Sequence, residues 1–111
     1  MHKAGEAVDE ADLPDLTPEL LLRAELALEK ADYPHCEAYL ECIREPSLDW
    51  HMLKAKLSFA KKDYTHARVH FEKAWDADPL FCCARLEDCC REMEDFAGAY
   101  FYACKQRELN R

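Results

Sequence analysis

The sequence predicts an all-α chain of antiparallel helix hairpins, and three observations predict it. Glycine is nearly absent, with two in 111 residues, whereas tight turns and sheet bulges lean on glycine. Ala, Leu, Glu, Lys and Arg dominate, and all are good helix formers. Laid on itself, the chain also repeats: ADYPHCEAYLECIREP from residue 31, KDYTHARVHFEKAWDADP from 62 and EDFAGAYFYACKQREL from 94 read alike. Asp32, Asp63 and Asp95 set periods of 31 and 32 residues. An aromatic follows each (Tyr33, Tyr64, Phe96), then a small residue (Cys36, Ala67, Ala99), then an apolar one (Leu40, Phe71, Ala103). Positions i, i+3 and i+7 form one stripe of a helix.

Another helical stretch lies ahead of each segment. The first is expected to open at Thr17-Pro18, as a cap followed by a first-turn proline, and to run through ELLLRAELALEKA. The second follows Pro46 with Ser47 as its cap, through DWHMLKAKLSFAKK. The third opens at Asp78-Pro79 and runs through LFCCARLEDCCREME. Six helices of about 12 to 16 residues result, and their short turns make sequential neighbours antiparallel. The units span residues 17–46, 47–78 and 79–111, behind an acidic segment over 1–16. The first 15 residues are polar and are expected to be disordered alone.

Size and charge narrow the function. A chain of 111 residues suits one domain, burying about 65% of its unfolded surface. Net charge is −8. The first 50 residues hold 4 Lys and Arg against 13 Asp and Glu, and the remaining 61 hold 11 against 10. An acidic half repels phosphate, so no nucleic-acid partner is expected. No apolar run approaches the roughly 20 residues that span a bilayer, so no membrane partner is expected either. The N-terminus carries acids where a targeting peptide needs basic and apolar residues. A cytoplasmic protein is expected, with the nucleus as the other possible compartment.

Seven cysteines without a secretory signal point to reduced thiols. The doublets Cys82-Cys83 and Cys89-Cys90 lie two helical turns apart, about 10 Å along the axis. A disulfide needs Cα atoms within about 7 Å, so the doublets cannot bridge on one straight helix. Their spacings, and those to Cys36, Cys42 and Cys104, are not those of a zinc site. Buried small hydrophobes are the expected role. His66 and His70 stand at i, i+4, a chelating spacing, but no third or fourth ligand neighbours them, and exposed histidines are expected instead. No phosphate loop or nucleophile elbow occurs, and the two serines, Ser47 and Ser58, have no catalytic setting. No catalytic residue, metal or cofactor is assigned, and the chain is not expected to be an enzyme.

Helix–turn–helix units of about 34 residues characterise the tetratricopeptide repeat, and residues 17 to 109 resemble that family. The second unit carries the resemblance furthest: Trp50 and Leu53, Asp63-Tyr64 at the turn, then Ala67, Phe71, Ala74 and the closing Asp78-Pro79. The first unit keeps Leu22, Ala24, Asp32-Tyr33 and Leu40, but places Cys36 at the small position and ends early at Pro46. The third keeps Asp95-Phe96 and Ala99, but has Glu87 where a small residue belongs. The outer two units remain open to other helical-hairpin repeats.

The resemblance implies a short right-handed α-solenoid of three repeats, whose first helices line a concave face for a peptide or partner helix. Carried over residue by residue, that face holds Leu21 and Glu25, then Met52, Lys56 and Phe59, then Phe81, Asp88 and Arg91. A protein scaffold or adaptor within a larger assembly is implied. Relatives that grip the acidic tails of heat-shock chaperones use a clamp of lysines, asparagines and an arginine. Leu21, Glu25 and Leu53 stand at its positions here, so no such binding is expected.

The last helix suggests a second surface. Arrays of this kind finish on a polar outer face, whereas FAGAYFYACKQREL is aromatic. Phe96, Ala99, Tyr100 and Ala103 are expected to pack on the preceding helix, leaving Phe101, Tyr102 and Cys104 as an interface. A partner, a second copy (a homodimer) or further repeats of a longer array would cover it. A purely structural or dimerising subunit is the alternative function.

Overall fold

The computed structural model describes residues 15–111. The expected acidic segment therefore falls, up to residue 14, outside the described residues. The described chain is helical: α1 (Thr17–Glu29), α2 (Tyr33–Glu41), α3 (Leu48–Ala60), α4 (Tyr64–Lys73), α5 (Pro79–Glu92) and α6 (Phe96–Leu109). They pair as three hairpins, α1 with α2, α3 with α4 and α5 with α6, and α4 also packs on α5. Among the described residues there is no strand, and no helix is long and apolar enough to cross a membrane.

One turn is built three times. Each first helix closes on a residue in the left-handed region: Ala31 at φ 59°, Lys62 at 64° and Glu94 at 60°. The aspartate that comes next sends its backbone N–H back to the helix, to the carbonyls of Ala27, Ser58 and Cys90, each at 2.8 Å. This is the Schellman closure, which satisfies carbonyls the helix leaves open. The same aspartate then caps the next helix. Its Oδ1 accepts from the backbone N–H of His35 (3.4 Å), His66 (3.3 Å) or Gly98 (3.1 Å). The repeated Asp seen in the sequence thus ends one helix and starts the next, which holds the two antiparallel.

None of the three left-handed residues is glycine, so each carries the steric cost of a Cβ there. Lys62→Gly is expected to stabilise the protein by about 0.5–1 kcal/mol, because Lys62 is exposed and loses no core contact. A melting temperature that stays level or falls would count against the turn as described.

Gly98 has a local cause. A Cβ there would fall 2.9 Å from Cys90 Sγ and 2.6 Å from Asp95 Oδ2. The first two turns have Ala27 and Ser58 in the place of Cys90 and carry His35 and His66 in the place of Gly98. A larger buried side chain on one helix is matched by loss of the side chain facing it.

Ser47 and Asp78 cap α3 and α5 as expected, accepting from Trp50 N at 3.2 Å and Phe81 N at 3.2 Å. At α1 the cap is displaced by one residue. Leu16 holds the cap position, and Thr17 lies inside the helix. The Asp15 carboxylate, a stronger acceptor than a threonine hydroxyl, takes the Thr17 N–H at 3.0 Å. Helices α2 and α4 are also shorter than expected, at 9 and 10 residues. Pro46 has no N–H with which to continue α2. Pro79 pushes Asp78 out of the helical region, to φ −162°, and α4 hands over to a 3-10 turn at Trp75–Ala77.

The core lies in two adjoining clusters. Ala24, Ala27, Cys36, Leu40 and Ile43 of the first hairpin enclose Leu53 and Leu57 of α3. There the Trp50 indole N–H donates to the Leu40 carbonyl at 2.9 Å. The second cluster joins the other two hairpins around Phe71, with Ala55, Ala67, Ala74, Leu86, Ala99, Tyr102 and the four cysteines of α5.

Candidate functional site

The expected groove residues fall into two adjoining stretches of one surface. Between α1 and α3 lies an open cleft of about 550 Å³, lined by Thr17, Pro18, Leu21, Leu22 and Glu25 from one helix, Asp49, Met52, Leu53 and Lys56 from the other, and Asp15 ahead of α1. Of the expected set, Leu21, Glu25, Met52 and Lys56 thus line one cavity. Its mixed apolar and acidic lining arises from the periodicity of α1 and α3, where leucines and methionine alternate with Glu25 and Asp49.

Lys56 is the link to the second stretch. Its Nζ stands 5.1 Å from the centre of the Phe81 ring on α5. The Arg85 guanidinium stands 5.5 Å from Phe59 and 5.6 Å from Phe81. Phe59 in turn meets Phe71 and Tyr64 edge-on. Two cations and two aromatic rings therefore form one stack across the α3–α5 seam, each cation held by a ring face. Asp88 and Arg91 lie just beyond. Arg91 donates to Asp88 at 2.9 Å and pairs with Glu87 at 3.3 Å, and Arg85 pairs with Asp88 at 3.0 Å. These two expected contact residues are already committed to partners within α5.

Arg85 is the residue sequence reasoning missed. Its Nε is buried with no hydrogen-bond partner, so the centre of the stack holds an unused donor. Nothing local marks it: as one of the two arginines on α5, it stands out only when α3 is laid beside it.

The surface expected on α6 needs correction. Tyr102 is buried rather than open: it is 9% exposed, and its hydroxyl donates to Glu72 Oε2 at 3.2 Å. Burial, reinforced by the Glu72 carboxylate, pushes its hydroxyl pKa up to about 12. Cys104 is half-buried, and only Phe101 of the three is open, at 55%. Conversely Phe96 and Tyr100, expected to pack on α5, are 66% and 69% exposed. The face of α6 turned to α5 carries Ala99 and Tyr102, and Phe96 and Tyr100 lie on its far side.

Five of the seven cysteines take the buried role expected of them. Cys36, Cys82, Cys83, Cys89 and Cys90 are buried, Cys104 is half-buried and Cys42 is exposed. Burial raises the thiol pKa of Cys82 to about 11 and of Cys89 to about 12, and Cys83 Sγ donates to the Tyr102 carbonyl at 3.1 Å. Low-pKa thiolate character is the condition for reactivity, and these thiols run the other way. A thiol-specific colorimetric reagent is expected to label Cys42 fast and the five buried cysteines only on unfolding; rapid labelling of more than two thiols in the native protein would refute this.

His66 and His70 do not form a pair. His66 Nδ1 turns to the Asp63 cap at 2.7 Å. His70 instead stacks on His51 across the hairpin, ring centres 5.3 Å apart and Nδ1 atoms 3.1 Å apart, beside the Trp50 ring. Among the described residues no three His, Cys, Asp or Glu side chains gather as a metal site would require.

Comparison with protein-family models, with curated proteins and with solved structures gives no match to this chain.

Proposed function

We propose that this protein is an interaction scaffold or adaptor, a short right-handed tetratricopeptide-like solenoid holding a peptide or helix of a partner across α1, α3 and α5. The observation that carries the reading is the convergence of Leu21, Glu25, Met52 and Lys56 on one cleft, continued by the Lys56, Phe81, Arg85 and Phe59 stack. The threefold turn supports the repeat. The leucines and methionine of the cleft suit the apolar side chains of a partner segment, and Lys56 and Arg85 at the α3–α5 seam suit acidic ones. No catalytic role is assigned to any residue.

Selection from a displayed random-peptide library tests it. The wild type is expected to enrich binders that Lys56→Glu weakens at least tenfold and Phe59→Ala weakens as well, with both variants retaining the wild-type helical signal. Binders that ignore both substitutions would place recognition elsewhere and sink the proposal. The second reading, a structural or self-associating subunit, draws on the exposed Phe96, Tyr100 and Phe101 of α6.

A further inference from the structure

The chain contains internal joints between hairpins and exposes both halves of one more. At the first joint Leu53 and Leu57 of α3, 7% and 2% exposed, belong to the core of the first hairpin, with Tyr33 packed against the same cluster. At the second, Cys89 of α5 takes the place of Leu57 and Tyr64 that of Tyr33, and both lie in the shared core. Leu53 and Leu57 stand ten and six residues ahead of the turn aspartate Asp63; the residues ten and six ahead of Asp32 are Leu22 and Leu26. These two are 55% and 46% exposed. Tyr33 and Tyr64 directly follow their aspartates; Phe96 follows Asp95 and is 66% exposed, with Tyr100 one turn on. Leucines that cover a neighbouring hairpin are bare on α1, and aromatics that receive such a cover are bare on α6. Charge favours the match: α1 carries Glu19, Glu25 and Glu29 against one arginine, and the end of α6 carries Lys105 and Arg107 against Glu108.

We infer that the far face of α6, through Phe96 and Tyr100, docks α1 of a second copy of this chain, through Leu22 and Leu26. The two surfaces differ, so the contact is head-to-tail and each copy that joins leaves a fresh pair of faces. Association is therefore open-ended and grows with concentration. It is weaker than the internal joint, because Glu19 stands where Trp50 donates its indole N–H to Leu40.

Sedimentation velocity across the micromolar range, with Leu26→Glu and Tyr100→Glu, tests this. Both positions are exposed, so both variants are expected to fold, as circular dichroism would check. The wild type is expected to pass dimer mass as concentration rises, and each variant alone to stay monomeric. An equimolar mixture of the two is expected to stop at a mass of two chains, since one variant keeps the intact α6 and the other the intact α1. A wild type that remains monomeric throughout overturns the inference. So does a Leu26→Glu protein that still dimerises while Tyr100→Glu does not, since α6 would then be pairing with α6. Should either variant lose its helical signal, Leu22→Lys and Phe96→Lys probe the same two faces by the same readout.

Discussion

Replacing Phe71 with alanine is expected to cost about 3–5 kcal/mol and to lower the melting temperature by more than about 10 °C. Phe71 is fully buried, and among the described residues it is the largest side chain that is. Its ring meets Phe59 of α3 at 6.2 Å and Phe81 of α5 at 6.0 Å, both edge-on. It therefore joins the second hairpin to the third as well as α4 to α3. Truncation leaves a cavity between three helices that hold one another through the same ring, so collapse around the gap is limited. The loss is comparable with the whole stability of a domain this size, about 5–15 kcal/mol. Val69→Ala on the same helix, at a site 41% exposed, is the control and is expected to change stability by less than about 0.5 kcal/mol. Chemical denaturation of the two variants measures both; a Phe71→Ala loss below about 1 kcal/mol would mean that the core is not organised around this ring.

Phe71 was legible in the sequence, and the reason it was legible shows what was not. The stripe of aromatic, small and apolar residues after each turn aspartate places Cys36, Leu40, Ala67, Phe71 and Ala99 on inward faces, and all five are buried. Periodicity fixes which residues share a face of a helix. It does not fix what lies over that face. Tyr33 and Tyr64 are half-buried because a following hairpin packs beside them, whereas Phe96 at the same register is open. The expectation that Phe96 and Tyr100 pack inward and Tyr102 outward failed on this point: the side of α6 turned to α5 is the one bearing Ala99 and Tyr102. Arg85 and the His51–His70 pair were invisible for a related reason. Each depends on the contact of two helices at a sequence separation that no local spacing encodes. His66 and His70 were expected to be exposed; His66 is, with its Nδ1 on the Asp63 carboxylate, whereas His70 is half-buried against His51.

The His51–His70 pair gives the other large effect, a loss of stability in mild acid. With Nδ1 atoms 3.1 Å apart, one ring donates and the other accepts, which two neutral imidazoles in opposite tautomers can do and two imidazolium ions cannot. Burial is the main cause that lowers the His70 pKa to about 4, followed by His51, Lys54, Lys73 and His66. His51 is lowered in the same direction by burial and then Lys73. Between pH 6.5 and 4 the unfolded chain therefore takes up a proton at His70 that the folded chain refuses. Stability is full above pH 6.5 and falls as pH drops toward 4. A shift of this size corresponds to about 3 kcal/mol, and partial exposure of the pair reduces the expected loss to about 2 kcal/mol. The cap aspartates act in a separate window. The His35 and His66 hydrogen bonds hold the Asp32 and Asp63 carboxyls below their ordinary value of 3.8, so their contribution fades only once pH falls below about 4. His70→Phe keeps a ring where the other hairpins carry Tyr39 and Tyr102, and it removes the proton-binding site. Its denaturation midpoint is expected to decline clearly less from pH 7 to 4.5 than that of the wild type, the remaining decline coming from His51. Parallel curves for the two proteins would mean that acid sensitivity arises away from this pair.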